Sequence, residues 1–357
     1  VNRRHFTVVL IVPTGVGASI GGYAGDALPV ARAIAQICDT LITHPNVLNG
    51  AQLYWPLPNA LYVEGYALDK FASGCWGLQP VHQNRIGLIL DSGIEPDLQL
   101  RHLQAADAAR ATLGINITDY VLTDMPLEVE LRTSNSGASW GTIANPDSLL
   151  RAAEGLIKQA KVEAIAVIAR FPDDEGSTQL QQYRYGQGVD PLAGAEAVIS
   201  HLIVKTFKIP CAHAPALLPL PLDSQISARS AAEEIGYTFL PCVLAGLSKA
   251  PQFVTEEKIT QSPITAADVD AVVIPATACG GSAILSLIQR SAVQIIAVAE
   301  NQTQMQATPD KLGIKALQVN SYLEALGVLV AHKAGINPAM LHPKIPPLHR
   351  LSIQANS

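Results

Sequence analysis

The sequence predicts an α/β fold of mostly parallel, doubly wound sheets in two lobes. Three observations carry this expectation. Apolar runs rich in Val and Ile recur at 6–12, 40–43, 60–63, 85–90, 118–122, 163–169, 269–274 and 294–298. Helical patterns separate them at 27–38, 97–113, 147–160, 191–206, 228–236, 280–290 and 321–334. Strands without polar alternation, joined through helices, are covered on both faces as parallel strands are. The third observation is size: 357 residues, 48% hydrophobic and 15% charged, are long for one core and supply apolar surface for two.

The first strand runs into five glycines within eleven residues: Gly15, Gly17, Gly21, Gly22 and Gly25. Clustered glycines serve positive φ angles or close backbone approach. A helix follows, with Asp26 as a candidate N-cap and Pro29 tolerated in its first turn. The strand at 40–43 ends in Thr43-His44-Pro45-Asn46, that at 60–63 in Glu64, and that at 85–90 in Asp91-Ser92-Gly93. Strand 118–122 leads to Thr123-Asp124, and strand 163–169 to Arg170 and Asp173-Asp174-Glu175. The proline-rich run 213–223 and the polar run 248–265 read as loops or lobe boundaries. Beyond them the strand, glycine loop and helix return at 270–291 (DAVVIPATACGGSAILSLIQRS). This echo predicts a discontinuous first lobe, 1–125 plus 266–357, with a middle lobe inserted at 126–265. The aperiodic tail beyond Pro338 is expected to fray or to wrap a neighbouring subunit.

A net charge of −6 without a basic patch argues against nucleic acid and against anionic membrane as partners. The five cysteines are widely spaced and form no CxxC pair, which suits a reducing compartment. No apolar run reaches the ~18–20 residues that span a bilayer. Arg3-Arg4 before TVVLIV imitates a twin-arginine export signal, but the short run enters the glycine loop directly. The reading is therefore a first core strand in a cytoplasmic protein.

In open parallel sheets, ligands bind beyond the carboxyl ends of the strands. The opening loop is not a dinucleotide fingerprint: its spacing is Gly15-x-Gly17-x-x-x-Gly21, and the second strand ends in Thr43-His44 where an acid is needed. Nor is it a Walker loop, since Gly17-x4-Gly22 is followed by Tyr23-Ala24. What remains is an anion cradle of backbone amides. The expected ligand residues are Gly15, Gly17, Ser19, Gly21 and Gly22, with Asn46 and Asp91 from neighbouring strand ends. A second loop, with Thr277, Gly280, Gly281 and Ser282, is expected to face the first across a cleft.

That second loop places Cys279 at a helix N-terminus, where the helix dipole favours a thiolate nucleophile. Cys75 is a possible second thiol for a two-cysteine racemase. His44 would serve as a general base or hydrogen-bond an oxyanion. Glu64, an acid in an apolar segment, would suit proton transfer if buried. Cys211-x-His213 lacks the second ligand pair of a metal site, and Asp173-Asp174-Glu175 would hold Mg²⁺ only beside a phosphate. No metal is expected; the cofactor stays open.

The runs PTGVGASIGGYAGDA (13–27), THPNVLNGA (43–51), YVEGYALD (62–69) and IPATACGGSAIL (274–285) resemble an uncharacterised, mainly cyanobacterial family, a domain of unknown function. The resemblance implies a bacterial protein and brings no activity or catalytic residue with it. The leading expectation is an enzyme that binds a small anionic metabolite, phosphorylated or nucleotide-like, between the two glycine loops. Cys279, His44 and Glu64 would supply its chemistry. The alternatives are a cysteine-dependent racemase or isomerase, and a non-catalytic metabolite-binding or assembly protein. A homodimer is expected in each case.

Overall fold

A computed structural model of the chain describes residues 4–49, 55–173, 176–235, 239–255, 262–290, 292–345 and 347–348. All eight predicted strands and all seven predicted helices are present, with ends shifted by a few residues. Six parallel strands form the first sheet: β1 (Thr7–Leu10), β2 (Thr40–Thr43), β3 (Ala60–Tyr62), β12 (Val269–Pro275), β13 (Gln294–Val298) and β14 (Leu317–Val319). Their spatial order is β14-β13-β12-β1-β2-β3. Four parallel strands form the second: β5 (Ile86–Leu90), β6 (Ile117–Leu122), β9 (Ala164–Arg170) and β10 (Cys211–Ala216), in the order β10-β9-β5-β6.

Both sheets are wound on two faces, and the side-chain alternation shows how. Val8, Leu10, Val273 and Ile296 pack on one face of the first sheet with α1 (Leu28–Ala35) and α12 (Tyr322–Lys333). Val9, Ile42, Val272 and Ile295 pack on the other with α3 (Gly65–Ala72) and α10 (Ser282–Leu287). The second sheet is sandwiched between α4 (Pro96–Leu113) with α9 (Leu240–Leu247) on one side, and α5 (Pro146–Gly155) with α7 (Ala193–Phe207) on the other. The shorter helices are α2 (Pro45–Leu48), α6 (Thr178–Arg184), α8 (Ala228–Ile235) and α11 (Pro309–Leu312). A hairpin of β7 (Val129–Thr133) and β8 (Ser139–Ile143) lies against α7.

Sheet membership corrects the expected boundary at 125, because β5 and β6 belong to the second sheet. The chain crosses between sheets at β4 (Gly77–Gln79) and returns at β11 (Gln252–Val254), and these two crossings pair antiparallel as a ribbon. The first crossing runs on into the polar stretch 79–85 (QPVHQNR), a shorter run than the two taken as boundaries. The run 213–223 was expected to be a connector, yet it begins inside β10. Pro215 fits there because β10 is an edge strand, where a missing N–H costs no ladder bond.

Gly194 fixes how α7 rides on the hairpin: a Cβ there would overlap the backbone of Trp140. Gly155, at the end of α5, has open space around its missing Cβ. Gly194→Ala is expected to lose about 1–3 kcal/mol through overpacking. Gly155→Ala is expected to gain up to about 1 kcal/mol through helix propensity. Urea unfolding of both variants checks the pair of opposite signs.

Candidate ligand site between the two sheets

The carboxyl ends of both sheets open into one cavity of about 420 Å³. From the first sheet come the residues after β1 (Ile11, Pro13, Thr14), after β2 (His44, Pro45, Asn46), after β3 (Glu64, Gly65) and around the end of β12 (Ile274, Ala278). The facing wall belongs to the second sheet: Glu196, Ser200 and His201 on α7, and His213 and Pro215 on β10. Leu68, Leu192, Leu217, Phe239 and Ile284 make much of the lining apolar.

His44 ends β2, where Pro45 starts α2 and holds the histidine backbone extended. Its Nε2 accepts the N–H of Val12 at 3.0 Å. Burial holds the ring neutral, with a pKa pushed down to about 4. With Nε2 accepting, the proton sits on Nδ1, so the ring is a donor and the expected role of general base does not fit. Among the described residues no hydrogen bond engages Nδ1.

Glu64 caps α3, accepting from the N–H of Tyr66 at 2.8 Å and of Ala67 at 3.2 Å. Its other oxygen lies 2.7 Å from Nε2 of His201, so the pair joins the wall of the first sheet to that of the second. The acid expected to transfer protons is thus already bound by two backbone donors and an imidazole. Burial works against the charge on His201, but the hydrogen bond and charge of Glu64, with Asp69, outweigh it and raise its pKa.

Of the opposite wall, the sequence singles out only His213. Asp190 accepts from the N–H of Leu192 at 2.8 Å. Burial, followed by the charge of Glu196, raises its carboxyl to about 7. Glu196 lies 3.5 Å from Nε2 of His213, whose Nδ1 is 3.2 Å from Oγ of Ser200. The signal that would have found them is positional: Glu196 and Ser200, four apart, share a face of a helix that is otherwise largely apolar, and His201 adjoins Ser200. An acid poised near neutrality beside a carboxylate and an imidazole can exchange protons with a bound molecule.

The two glycine loops follow neighbouring strands, β1 and β12, and stand side by side, not face to face. The first loop is engaged by protein. Ser19 N–H donates to Gln302 and Ile20 N–H to Asn301, both at 2.9 Å, and Gly25 N–H to Asn46 at 2.7 Å. The Ser19 hydroxyl donates to the Gln302 carbonyl. A Cβ on Gly15 would sit 2.5 Å from Oγ of Ser139, and one on Gly17 would sit 3.0 Å from the Gly188 carbonyl. Gly21 and Gly22 make room for Val12 and for the Ala18 carbonyl. Gly15 and Gly17 serve close packing against the second sheet's loops, Gly21 and Gly22 against their own segment, and the amides named are not available to an anion.

Asn46 lines the cavity and pins the loop by donating to the Gly21 carbonyl at 2.6 Å. Asp91 stands apart from the cavity and brackets loops, accepting from the N–H groups of Gly93, Leu127 and Arg170. Thr277 bonds Thr303 at 2.9 Å, and Ser282 opens α10. Gly281 lines the cavity, whereas Gly280 packs toward Ala307.

The Cys279 thiol is fully buried and points back at the carbonyls of Pro275 and Ala276. Burial pushes it up to about 11, the opposite of the activation expected at a helix start. Cys75 is exposed and far along the chain from any cavity-lining segment except α3. Of the acidic run after Arg170, Asp173 is tied to that arginine and to the N–H of Leu218, while 174 and 175 lie outside the described residues.

Two outcomes follow from this geometry. Because the folded pKa of His201 lies above its unfolded 6.5, the Glu64–His201 pair contributes fully below about 6.5 and fades as pH rises through the folded value. Glu64→Gln is expected to bring the His201 pKa below 6.5, and to cost more stability at pH 6 than at pH 8. NMR titration and paired unfolding curves measure both. Iodoacetamide on the folded protein is expected to label Cys75 and spare Cys38, Cys211 and Cys279, as read by peptide mass spectrometry.

Comparison with known proteins bears on both family and location. A relative named an uncharacterised lipoprotein, from a Synechococcus species, is 62% identical over 340 residues, covering 95% of this chain and 94% of its own. That relationship overturns the cytoplasmic location expected from cysteine usage and from the missing spanning run: a lipoprotein is held by lipid and needs no spanning helix. No helix among the described residues is long and apolar enough to cross a membrane. A periplasmic ribose transporter structure from Conexibacter woesei aligns at 14% identity with a TM-score of 0.17, covering 59% of this chain and 89% of that one. So slight a likeness carries no argument. The model of a family described as protein of unknown function, DUF3326, matches residues 7–342, and the chain belongs to that family.

Proposed function

We propose that the protein binds a small organic molecule in the cavity between its two sheets, and that it does so outside the cytoplasm. One observation carries the binding: a cavity of about 420 Å³, within the range of small-molecule sites, is walled by the carboxyl ends of two parallel sheets. Its lining is mainly apolar with a few converging polar groups, which is the usual make-up of such sites. The location is supported by the lipoprotein name of the relative with 62% identity.

An anionic metabolite is not the ligand this lining favours. Five carboxyl groups border the cavity: Glu64, Asp69, Asp173, Asp190 and Glu196. The one arginine on its wall, Arg184, already donates to the Pro221 carbonyl at 2.7 Å.

A thermal-shift screen with uncharged, cationic and anionic metabolites tests the reading, since a ligand at 100 times its Kd adds about 2.7 kcal/mol. Ala197 lines the cavity from α7 and is half-buried. Ala197→Trp is expected to fill the cavity and abolish the shift while leaving the unliganded protein folded. A screen without hits, or the same shift in Ala197→Trp, would overturn the proposal.

A further inference from the structure

His44 is a buried polar side chain whose remaining donor no hydrogen bond engages among the described residues. Its residue is 9% exposed and lines the cavity, and its Nε2 is committed to the Val12 N–H at 3.0 Å. The backbone therefore fixes which ring nitrogen carries the proton. A neutral imidazole held in this way presents one directional N–H from Nδ1. We infer that His44 is a specificity-determining residue of the cleft, donating from Nδ1 to an uncharged acceptor oxygen such as the carbonyl of an amide, ketone or ester. The inference rests on the cleft reading above and adds the class of ligand.

Two considerations select an uncharged oxygen over a carboxylate or phosphate. To meet an anion with a full charge, His44 would have to bind a proton that burial opposes, and Nε2 would lose the Val12 bond. An anion would also enter a cavity already bordered by Glu64, Asp69, Asp173, Asp190 and Glu196. Arg170 is paired with Asp173, and the bases that face the space are committed as well. His201 and His213 are engaged by Glu64 and Glu196, and Arg184 holds a carbonyl. A neutral carbonyl needs only the hydrogen bond, and its apolar remainder can lie along Leu68, Leu192 and Ile284.

The test compares three probes of one chain length: hexanamide, hexanoate and hexylamine. Binding to the wild-type protein is measured by calorimetry, and the imidazole ¹⁵N resonances are followed by NMR. Hexanamide is expected to bind at least tenfold more tightly than hexanoate, to shift the His44 Nδ1 resonance, and to leave the ring neutral. His44→Phe is expected to weaken hexanamide binding roughly tenfold, the scale of one lost hydrogen bond. Because that variant also strips the Val12 N–H of its acceptor, the ¹⁵N readout on the unaltered protein is the decisive arm. Tighter binding of hexanoate or hexylamine within the cleft would overturn the inference while sparing the cleft reading. So would hexanamide binding without a change at Nδ1, or an imidazolium signature in the complex. Failure of all three probes to bind would sink the inference, while the wider screen with Ala197→Trp judges the cleft separately.

Discussion

Among the described residues, the chain passes between its two sheets at the paired segments β4 and β11, and the cavity depends on that constraint. Asn84 secures the crossing. Its buried amide donates to the carbonyls of Leu247 and Ala250, both at 2.8 Å, and accepts from the side chain of Gln252 at 2.9 Å. A buried amide left partly unpaired costs more than a satisfied one contributes, so these bonds define one register for the ribbon. With the crossings tied together, two all-parallel sheets direct their carboxyl ends into a shared space.

A second set of contacts closes the seam on the cavity side. Tyr23 of the opening loop stacks on Tyr183 of α6, with ring centroids 4.5 Å apart, and donates to its carbonyl at 3.2 Å. Asp26 meets Arg229 of α8 at 2.8 Å. The Gly15 carbonyl accepts from Ser139 of β8 at 2.9 Å. The glycine loop is the element through which the first sheet touches the second sheet's loops. Its glycines have φ between 63° and 90° at positions 15, 17, 21 and 25, angles that other residues rarely adopt. Backbone freedom and close approach explain the glycines without a bound phosphate.

The fold was legible because fully covered parallel strands leave continuous apolar runs, and 163–169 or 269–274 admit no other economical reading. The strand at Cys211–Ala216 was hidden by its alanines and by Pro215, a residue that only an edge position tolerates. Helix α3 was hidden because it opens on Gly65; its start depends on Glu64 reaching the N–H groups of Tyr66 and Ala67. At the site, the rule of strand ends found His44, Asn46 and Glu64, since all three follow strands of one sheet. It could not find Asp190, Glu196 or His201, which sit before or along a helix. Nor could a sequence position reveal that Cys279 turns inward, because the direction of a thiol is set by the packing of α10 and β12.

Burial acts in one direction on Cys279, His44 and Asp190, holding a thiol, an imidazole and a carboxyl toward their neutral forms. His201, whose pKa Glu64 raises, is fastened to that carboxylate across the seam, so any charge it gains serves the contact between walls. What the cavity offers a guest is therefore the direction of individual hydrogen bonds more than net charge. This favours discrimination by polarity. A donor on a buried side chain, such as His44 Nδ1, is costly to leave unmatched once a guest excludes water, so a guest lacking an acceptor at that point pays the desolvation of the imidazole without return. A charged guest adds its own desolvation in an apolar lining already bordered by carboxyls. Selectivity for an uncharged, oxygen-bearing molecule thus follows from the same burial that removes Cys279 as a nucleophile.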